Sequence, residues 1–325
     1  MKPYVSSTAD YHRRRLDSLG WELTVCAMLE DPADPCRRIL EDDRSYGVHL
    51  SKLLSLHLDW ESVNGVLEIG GGYGYVMRDF ISAHPHIRAT MLDISPYLLE
   101  RQRETVGTGR ADFVEGDFLE FDSGRLARFD LAILNEIIGD FPALCDLGAE
   151  ALDGPNDAPE VTAARRLFCD YGLDRPVGAF VFNLGAAQAV EKLCKAGIPA
   201  IFISEHSCEA AVPQELRSSI AMNTPGFPER IRLRGHDEYT VKFSHLERIA
   251  KKMGYTCLRG PYADFLRIRW TDEVRFILSS RSARDEHEAV RQFVEDLYRY
   301  EYLVLLRKPE SGRYPSSDER ITRWR

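Results

Sequence analysis

One acid and four glycines lie in one short stretch, and their spacing indicates what chemistry the chain can support. The apolar run 66–69 contains Glu68 and then breaks into a turn rich in glycine, followed by the helix-like segment 75–83. Aliphatic and β-branched residues suit a buried parallel strand, and glycines let a backbone approach a ligand closely. The pattern predicts a strand, a tight turn and a helix N-terminus, which together form a polar cradle.

The spacing of the glycines indicates which cofactor the turn takes. A dinucleotide fingerprint needs a third glycine where Tyr75 stands, and a phosphate loop needs a lysine that the turn lacks. Glu68-x-Gly70-x-Gly72-x-Gly74 instead resembles the first motif of class I S-adenosylmethionine (SAM) methyltransferases. An acid before the turn suits a cationic ligand. An ordinary glycine-rich turn in a generic nucleotide-binding fold stays open as the alternative.

Three more apolar runs follow, and each ends in polar residues. The runs 87–92, 111–115 and 129–134 lead into Asp93, Asp117 and Asn135 respectively. Ligands of open α/β sheets bind at the carboxyl ends of strands, where an acid after the second strand bonds the ribose hydroxyls. We predict an α/β fold with a Rossmann-like, seven-stranded methyltransferase sheet that binds SAM. The predicted cofactor-binding residues are Glu68, Gly70, Gly72, Gly74, Asp93, Ile94, Asp117, Phe118 and Asn135.

Composition narrows the class of protein. The 325-residue chain is 44% hydrophobic and carries a formal net charge of −9, which argues against nonspecific nucleic-acid binding. Its seven cysteines form no Cys-x-x-Cys pair, and no apolar stretch reaches membrane-spanning length. We therefore expect a cytoplasmic protein with no nucleic-acid partner, no membrane contact, no disulfide framework and no metal site. The sequence leaves a homodimer open.

The chain divides into three parts by pattern. Residues 1–60 are expected to form a helical lid over the cofactor site, although packing of these helices on the sheet edge is an equal alternative. Residues 61–310 are predicted to form the SAM-binding methyltransferase domain, with an acceptor-site insertion at about 207–243. Residues 311–325 are predicted to be a flexible tail.

Acceptor recognition is expected at the ends of the fourth and fifth strands. Methyl transfer from a sulfonium needs positioning and charge stabilisation and no enzyme nucleophile. Glu136 and Glu205 are expected to face each other there, and two carboxylates suit a planar guanidinium. His206 is an alternative general base. Glu136 and Asp140 could instead be helix N-terminal acids, and His206 could be structural. The candidate catalytic residues are Asn135, Glu136, Asp140, Glu205 and His206.

Two segments also resemble a known family. Residues 135–142 (Asn-Glu-Ile-Ile-Gly-Asp-Phe-Pro) are similar to the segment after strand four in the MidA family of arginine methyltransferases, and residues 236–244 resemble the family's Asp-x-Thr-x-x-Val-x-Phe-Ser segment. Asp140 is offset by one position from the family pattern, and Glu205-His206-Ser207 replaces its Asp-Tyr-Gly. The resemblance implies SAM-dependent methylation of an arginine guanidino group, free or in a protein. The alternatives are a small-molecule O-methyltransferase with His206 as base and a non-catalytic SAM-binding assembly factor.

Overall fold

The structure is a computed structural model that describes residues 2–14, 24–155, 158–220, 222, 224–279 and 284–308. The predicted flexible tail at 311–325 lies outside the described residues. So do the leucines at positions 16, 19 and 23, which the sequence pattern places on the first helix.

Strands and helices alternate through the centre of the chain. The strands are β1 (Tyr4–Ser6), β2 (Gly65–Ile69), β3 (Arg88–Asp93), β4 (Ala111–Glu115), β5 (Leu131–Asn135), β6 (Ala143–Leu147), β7 (Phe180–Phe182), β8 (Ala200–His206), β9 (Arg230–Arg232), β10 (Asp237–Tyr239), β11 (Tyr255–Pro261) and β12 (Tyr300–Arg307). The α-helices are α1 (Ala9–Arg14), α2 (Val25–Met28), α3 (Pro35–Arg38), α4 (Tyr46–Leu54), α5 (Tyr75–Ala83), α6 (Pro96–Val106), α7 (Ala149–Asp153), α8 (Pro159–Tyr171), α9 (Leu184–Ala196), α10 (Phe243–Lys252), α11 (Asp272–Ser279) and α12 (Asp285–Arg299).

The central sheet has seven strands in the order β11-β12-β8-β5-β2-β3-β4. The five neighbouring strands β4, β3, β2, β5 and β8 run parallel to one another. Strand β12 is antiparallel to both β8 and β11. The predicted seven-stranded methyltransferase sheet is therefore confirmed. The parallel strands end at one edge, which brings the polar residues after β2, β3, β4, β5 and β8 together.

Each central strand is buried on both faces, because helices cover the sheet on each side. Along β2, Val66 packs into one apolar layer and Leu67 into the other, and along β5 Ile133 and Leu134 divide in the same way. This alternation follows from the pleat, which sends successive side chains to opposite faces. The layers hold the strand ends in fixed positions, and a site at that edge is built on a rigid base.

A small antiparallel sheet, which the sequence patterns did not predict, lies outside the central one. It pairs β1 with β6 and β6 with β7, so the amino-terminal region contains a strand as well as the expected helices. The segment 207–243, expected to be irregular, contains the paired strands β9 and β10. The small sheet and the β9–β10 pair bring segments that are distant in sequence to the carboxyl edge of the central sheet. Among the described residues, no helix is both long and apolar enough to cross a membrane.

Candidate functional site

A cavity of about 410 Å³ opens at the carboxyl edge of the central sheet. Every predicted site residue lines it except Gly74. The sequence-predicted residues on the cavity wall are Glu68, Gly70, Gly72, Asp93, Ile94, Asp117, Phe118, Asn135, Glu136, Asp140, Glu205 and His206. Strand ends that are separate in sequence therefore converge on one site, as the topology requires.

The glycine turn after β2 has the conformation that its composition predicts. Gly70, Gly72 and Gly74 have φ values of 65°, 52° and 84°, in the left-handed region that glycine adopts without steric cost. A Cβ at position 70 would lie 2.5 Å from Ile137 Cγ1. Gly74 caps α5 and packs against Gln102 of α6, so its role is to seat the helix and not to line the cavity.

Glu68 is the acid that precedes the turn, and it is only 1% exposed. Its Oε2 atom is buried without a hydrogen-bond partner in the described structure. Burial, followed by repulsion from Asp93, raises the pKa of Glu68 to about 8. A buried carboxyl that lacks a partner is costly unless a ligand completes it. Glu68 therefore fits a cationic ligand in the cavity, such as the amino or sulfonium group of SAM.

Asp93 ends β3 and is held by two donors. Its Oδ1 accepts from the Ser95 backbone N–H at 2.9 Å, and its Oδ2 accepts from Gln102 Nε2 at 2.8 Å. Burial is the main cause that raises its pKa, to about 6. Each carboxylate oxygen keeps a further lone pair. The carboxylate is thus oriented yet able to accept from a ribose hydroxyl.

Asp117 and Phe118 follow β4 on the cavity wall. Asp117 Oδ1 accepts from the Leu119 N–H at 2.9 Å, and its Oδ2 lies 3.3 Å from an Arg13 guanidinium nitrogen. The ring of Phe118 is stacked against that of Phe141, with centroids 6.3 Å apart. A carboxylate beside a buried aromatic surface fits an adenine, whose amino group donates and whose ring needs an apolar cover.

Glu136 follows β5 with a backbone φ of 53°, which is uncommon for a residue other than glycine. Its Oε2 accepts from the Val25 N–H at 3.1 Å, and its Oε1 lies 3.3 Å from the Tyr262 hydroxyl. Burial raises its pKa to about 7. The loop after Asn135 leads into β6, so the interpretation of Glu136 and Asp140 as helix N-terminal acids is wrong.

Asn135 is bound from three sides. Its Oδ1 accepts from the Tyr46 hydroxyl at 2.6 Å and from Ser204 Oγ at 3.0 Å, and its Nδ2 lies 3.4 Å from Glu136 Oε1. These contacts fix the amide orientation, because the oxygen must face the hydroxyl donors. The amide nitrogen then faces the carboxylate of Glu136. Asn135 therefore positions Glu136 as well as lining the cavity.

Glu205 and His206 are the last two residues of β8. This strand pairs with one edge of β5, and β2 pairs with the other edge. Glu205 is held by the backbone N–H groups of Gly139, at 3.0 Å, and His206, at 2.9 Å. Burial, followed by repulsion from Glu238, raises the pKa of Glu205. The His206 ring lies 3.8 Å from the Tyr300 ring, and its Nδ1 has no hydrogen-bond partner in the described structure. Burial lowers the pKa of His206 to about 3, so its imidazole is neutral at pH 7.

Asp140 takes part in a second set of contacts with the amino-terminal region. Its carboxylate Oδ1 lies 3.0 Å from His12 Nε2 and 3.7 Å from His236 Nε2. Its backbone oxygen accepts from Thr8 Oγ1 at 2.8 Å. With the contact from Val25 to Glu136, these bonds hold α1 and the start of α2 at the cavity.

Several cavity residues were absent from the sequence prediction. They are His12, Glu238, Gln292, Asp296 and Tyr300, which belong to α1, β10, α12 and β12. Asp296 carried a usable signal, because it lies among the buried residues of the amphipathic helix α12 and is 5% exposed. Burial raises its pKa to about 7. The other residues carried no local signal.

The cavity wall is strongly acidic. Among the described residues that line it there is no lysine or arginine. The lining carboxylates are Glu68, Asp93, Asp117, Glu136, Asp140, Glu205, Glu238 and Asp296. Carboxylates that share one low-dielectric cavity repel one another unless protons or cations are present. The site therefore fits positively charged ligands, and SAM carries a net positive charge.

Comparisons with known proteins identify part of the chain as a methyltransferase domain. Residues 66–146 match the family described as a methyltransferase domain. The chain is 31% identical over 84 residues to the tetracenomycin polyketide synthesis 8-O-methyl transferase TcmO of Streptomyces glaucescens, covering 25% of this chain and 24% of the relative. It is 27% identical over 116 residues to the N,N-dimethyltransferase OxyT of Streptomyces rimosus, covering 35% of this chain and 33% of the relative.

A solved structure supports the fold. An uncharacterized protein from Burkholderia thailandensis aligns with a TM-score of 0.51 and 17% identity, over 81% of this chain and 79% of that one. The matched stretch 66–146 contains the glycine turn, the acids after β3 and β4, and residues 135–140.

The fold and the site thus define a SAM-dependent methyltransferase domain, and the predicted cofactor is confirmed. The chain spans only about a quarter to a third of the length of the curated relatives it matches. The resemblance to the MidA family is not confirmed by these matches and stays a prediction.

Proposed function

We propose that the chain transfers a methyl group from SAM to a nitrogen of the guanidino group of arginine, free or within a protein. The observation that carries this proposal is the acidic cavity wall, with eight carboxylates and no lysine or arginine among its described residues. A cationic acceptor would offset the repulsion between these groups. An acceptor that is neutral or anionic would leave the acids proposed to face it, Glu136 and Glu205, without a counter-charge.

Glu136 and Glu205 are the groups proposed to hold the acceptor. Each carboxylate is oriented by backbone N–H donors, from Val25 and Gly139 respectively. Burial raises the pKa of both, so that they bind protons readily while no cation is nearby. A guanidinium would favour their ionised forms and donate to them in bidentate pairs.

The chemistry divides between the donor and the chain. SAM supplies an electrophilic methyl on a sulfonium: a carbon–nitrogen bond forms, the carbon–sulfur bond breaks, and its electron pair stays on sulfur. The acceptor nitrogen gives up one proton to become the methylated guanidino group. In this proposal Glu136 and Glu205 localise positive charge on the other nitrogens, and one of them takes up that proton. The buried, aromatic-lined wall keeps water from competing.

The test is a product assay by mass spectrometry. The protein is incubated with SAM and with a panel of arginine, arginine-containing peptides, other amines and phenols. The expected result is a guanidino product that Glu136→Gln and Glu205→Gln abolish while calorimetry shows that SAM still binds. A matched control is Glu160→Gln, which changes an exposed acid on α8. Turnover of arginine that survives in both acid variants would contradict the proposal.

A second candidate is O-methylation of a small molecule with His206 as general base. The observation that favours it is the buried His206 Nδ1 in the cavity, which has no hydrogen-bond partner in the described structure and is open to an acceptor hydroxyl. The match to an 8-O-methyl transferase gives it further support. In this case phenols are methylated, His206→Ala is inactive, and Glu136→Gln retains activity. The same panel of substrates and variants therefore separates the two candidates.

A further inference from the structure

A second group of chemically competent side chains adjoins the cavity, and the proposed methyl transfer does not use it. We call it the His-Asp-His cluster: His12 of α1, Asp140 of the loop after β5, and His236 just before β10. One ligand atom from each lies within 4.8 Å of the others. Among the described residues, it is the group of three or more histidine, cysteine or acidic side chains whose ligand atoms lie close enough together to hold a metal ion.

The distances suit direct ligands of one ion. Asp140 Oδ1 lies 3.0 Å from His12 Nε2 and 3.7 Å from His236 Nε2. Bonds of about 2.0–2.2 Å in a tetrahedral site place neighbouring ligand atoms about 3.3–3.6 Å apart. Glu238 Oε1 lies 3.1 Å from His236 Nε2 and helps to orient that histidine from outside the group. All three ligand atoms lie within 4.8 Å of one another, so an ion that enters would draw the side chains closer together.

The surroundings also suit an ion more than a simple hydrogen-bonded group. The side chains of His12 and His236 are 8% and 3% exposed, so both imidazoles are largely withdrawn from water. Glu205, Glu238 and Asp140 all line the adjoining cavity. A buried cation there would offset their negative charge. Two imidazoles with one carboxylate form a donor set that zinc and similar divalent transition ions prefer, in contrast to magnesium or calcium.

We propose that the His-Asp-His cluster binds one divalent transition-metal ion of the zinc type. The ion would tie α1, the loop after β5 and the β9–β10 hairpin together across the cavity mouth. Asp140 would then be a metal ligand and not an acceptor-recognising acid. This inference is independent of the acceptor, because Glu136 and Glu205 lie outside the cluster. The sequence patterns predicted no metal site, since His12 and Asp140 are 128 residues apart and form no motif.

The test measures metal directly, without substrate. The full chain is stripped with a chelator and titrated with Co²⁺, whose visible absorption reports imidazole and carboxylate ligation, and then with competing Zn²⁺. We expect one ion per chain. His236→Ala and His12→Gln should each weaken binding by about 100-fold or more, because even changes to outer-shell groups cost 10–100-fold. His287→Ala, a histidine on α12 outside the cluster, is the matched control and should bind as the unaltered protein does.

Circular dichroism and SAM calorimetry establish that each variant is folded, and a misfolded His236→Ala leaves the decision to His12→Gln. Zn²⁺ should also raise the melting temperature of the unaltered chain and of His287→Ala, and leave that of the two cluster variants unchanged. Binding of less than one ion, or equal binding in the cluster variants and the control, would overturn the proposal and leave a hydrogen-bonded cluster. Because no methyl acceptor is present, these results do not depend on the proposed function.

Discussion

Replacing Glu68 by glutamine should stabilise the free protein and weaken its binding of SAM. The side chain is 1% exposed, and its Oε2 has no hydrogen-bond partner in the described structure. Glutamine has nearly the same shape and does not ionise. The change therefore removes the cost of burying an ionisable group while it also removes the negative charge that the donor's positive groups would meet.

The size of the stability gain follows from the pKa of Glu68, which burial raises from an ordinary 4.5 to about 8. The pKa of Glu68 is higher in the folded protein than in the unfolded chain. The stability that comes from its protonated form is therefore fully present below pH 4.5. That contribution is lost as the pH rises towards 8. Each pH unit costs about 1.4 kcal/mol, so at pH 7 the unaltered chain is destabilised by about 3 kcal/mol relative to the variant.

Denaturant unfolding of the two proteins at pH 5, 7 and 8.5 checks this magnitude. The difference in unfolding free energy should grow from under about 1 kcal/mol at pH 5 and level off near pH 8. Calorimetry with SAM in buffers of different ionisation enthalpy should show proton release by the unaltered protein at pH 7 that the variant lacks. Glu160→Gln is the exposed control. A difference that is constant with pH, or a variant that binds SAM as tightly, would refute the reasoning.

Three further predictions concern the turn and the acceptor side. Gly70→Ala places a Cβ 2.5 Å from Ile137 Cγ1 at a φ of 65°, so it should cost at least about 1–2 kcal/mol of stability and weaken SAM binding, as melting and calorimetry would show; an unchanged melting temperature would contradict it. Gly139→Ala places a Cβ 3.1 Å from the Glu205 carboxyl, so it should lower kcat with little change in SAM affinity. Gly148→Ala is the control, because its Cβ would meet no atom closer than 3.8 Å, and it should leave kcat unchanged. The kcat/KM for the acceptor should rise with pH through about 7 as Glu136 ionises in the free enzyme. A pH profile of Glu136→Gln that kept this limb would assign it to another group.

The parallel half of the sheet and the cofactor side of the cavity were predictable from sequence, because each depends on local patterns. Asp93 is the last residue of β3 and Asp117 comes two residues after β4, and the glycines of the turn show their conformation by their type alone. Gly74 was assigned to the ligand because the motif includes it, whereas its space is filled by Gln102 of α6. Only the packing between two helices reveals that role.

The parts that sequence missed depend on contacts between distant segments. The strands β1 and β7 have three residues each, too few to show an alternating pattern, and they exist because β6 lies between them. His12 and His236 meet at Asp140 only after α1 and the hairpin fold over the sheet edge. Asp296 is an exception, because an acid at an otherwise apolar position of an amphipathic helix indicates a functional role from the helical pattern alone.

The acidic cavity wall also bears on how a spent donor leaves. Transfer of the methyl turns a positively charged sulfonium into a neutral thioether, so S-adenosylhomocysteine carries one positive charge fewer than the molecule that entered. In a cavity walled by carboxylates, that lost charge removes a favourable Coulomb interaction from the product alone. We therefore expect weak product inhibition, and a preference for fresh donor over demethylated by-product that shrinks as added salt screens the wall.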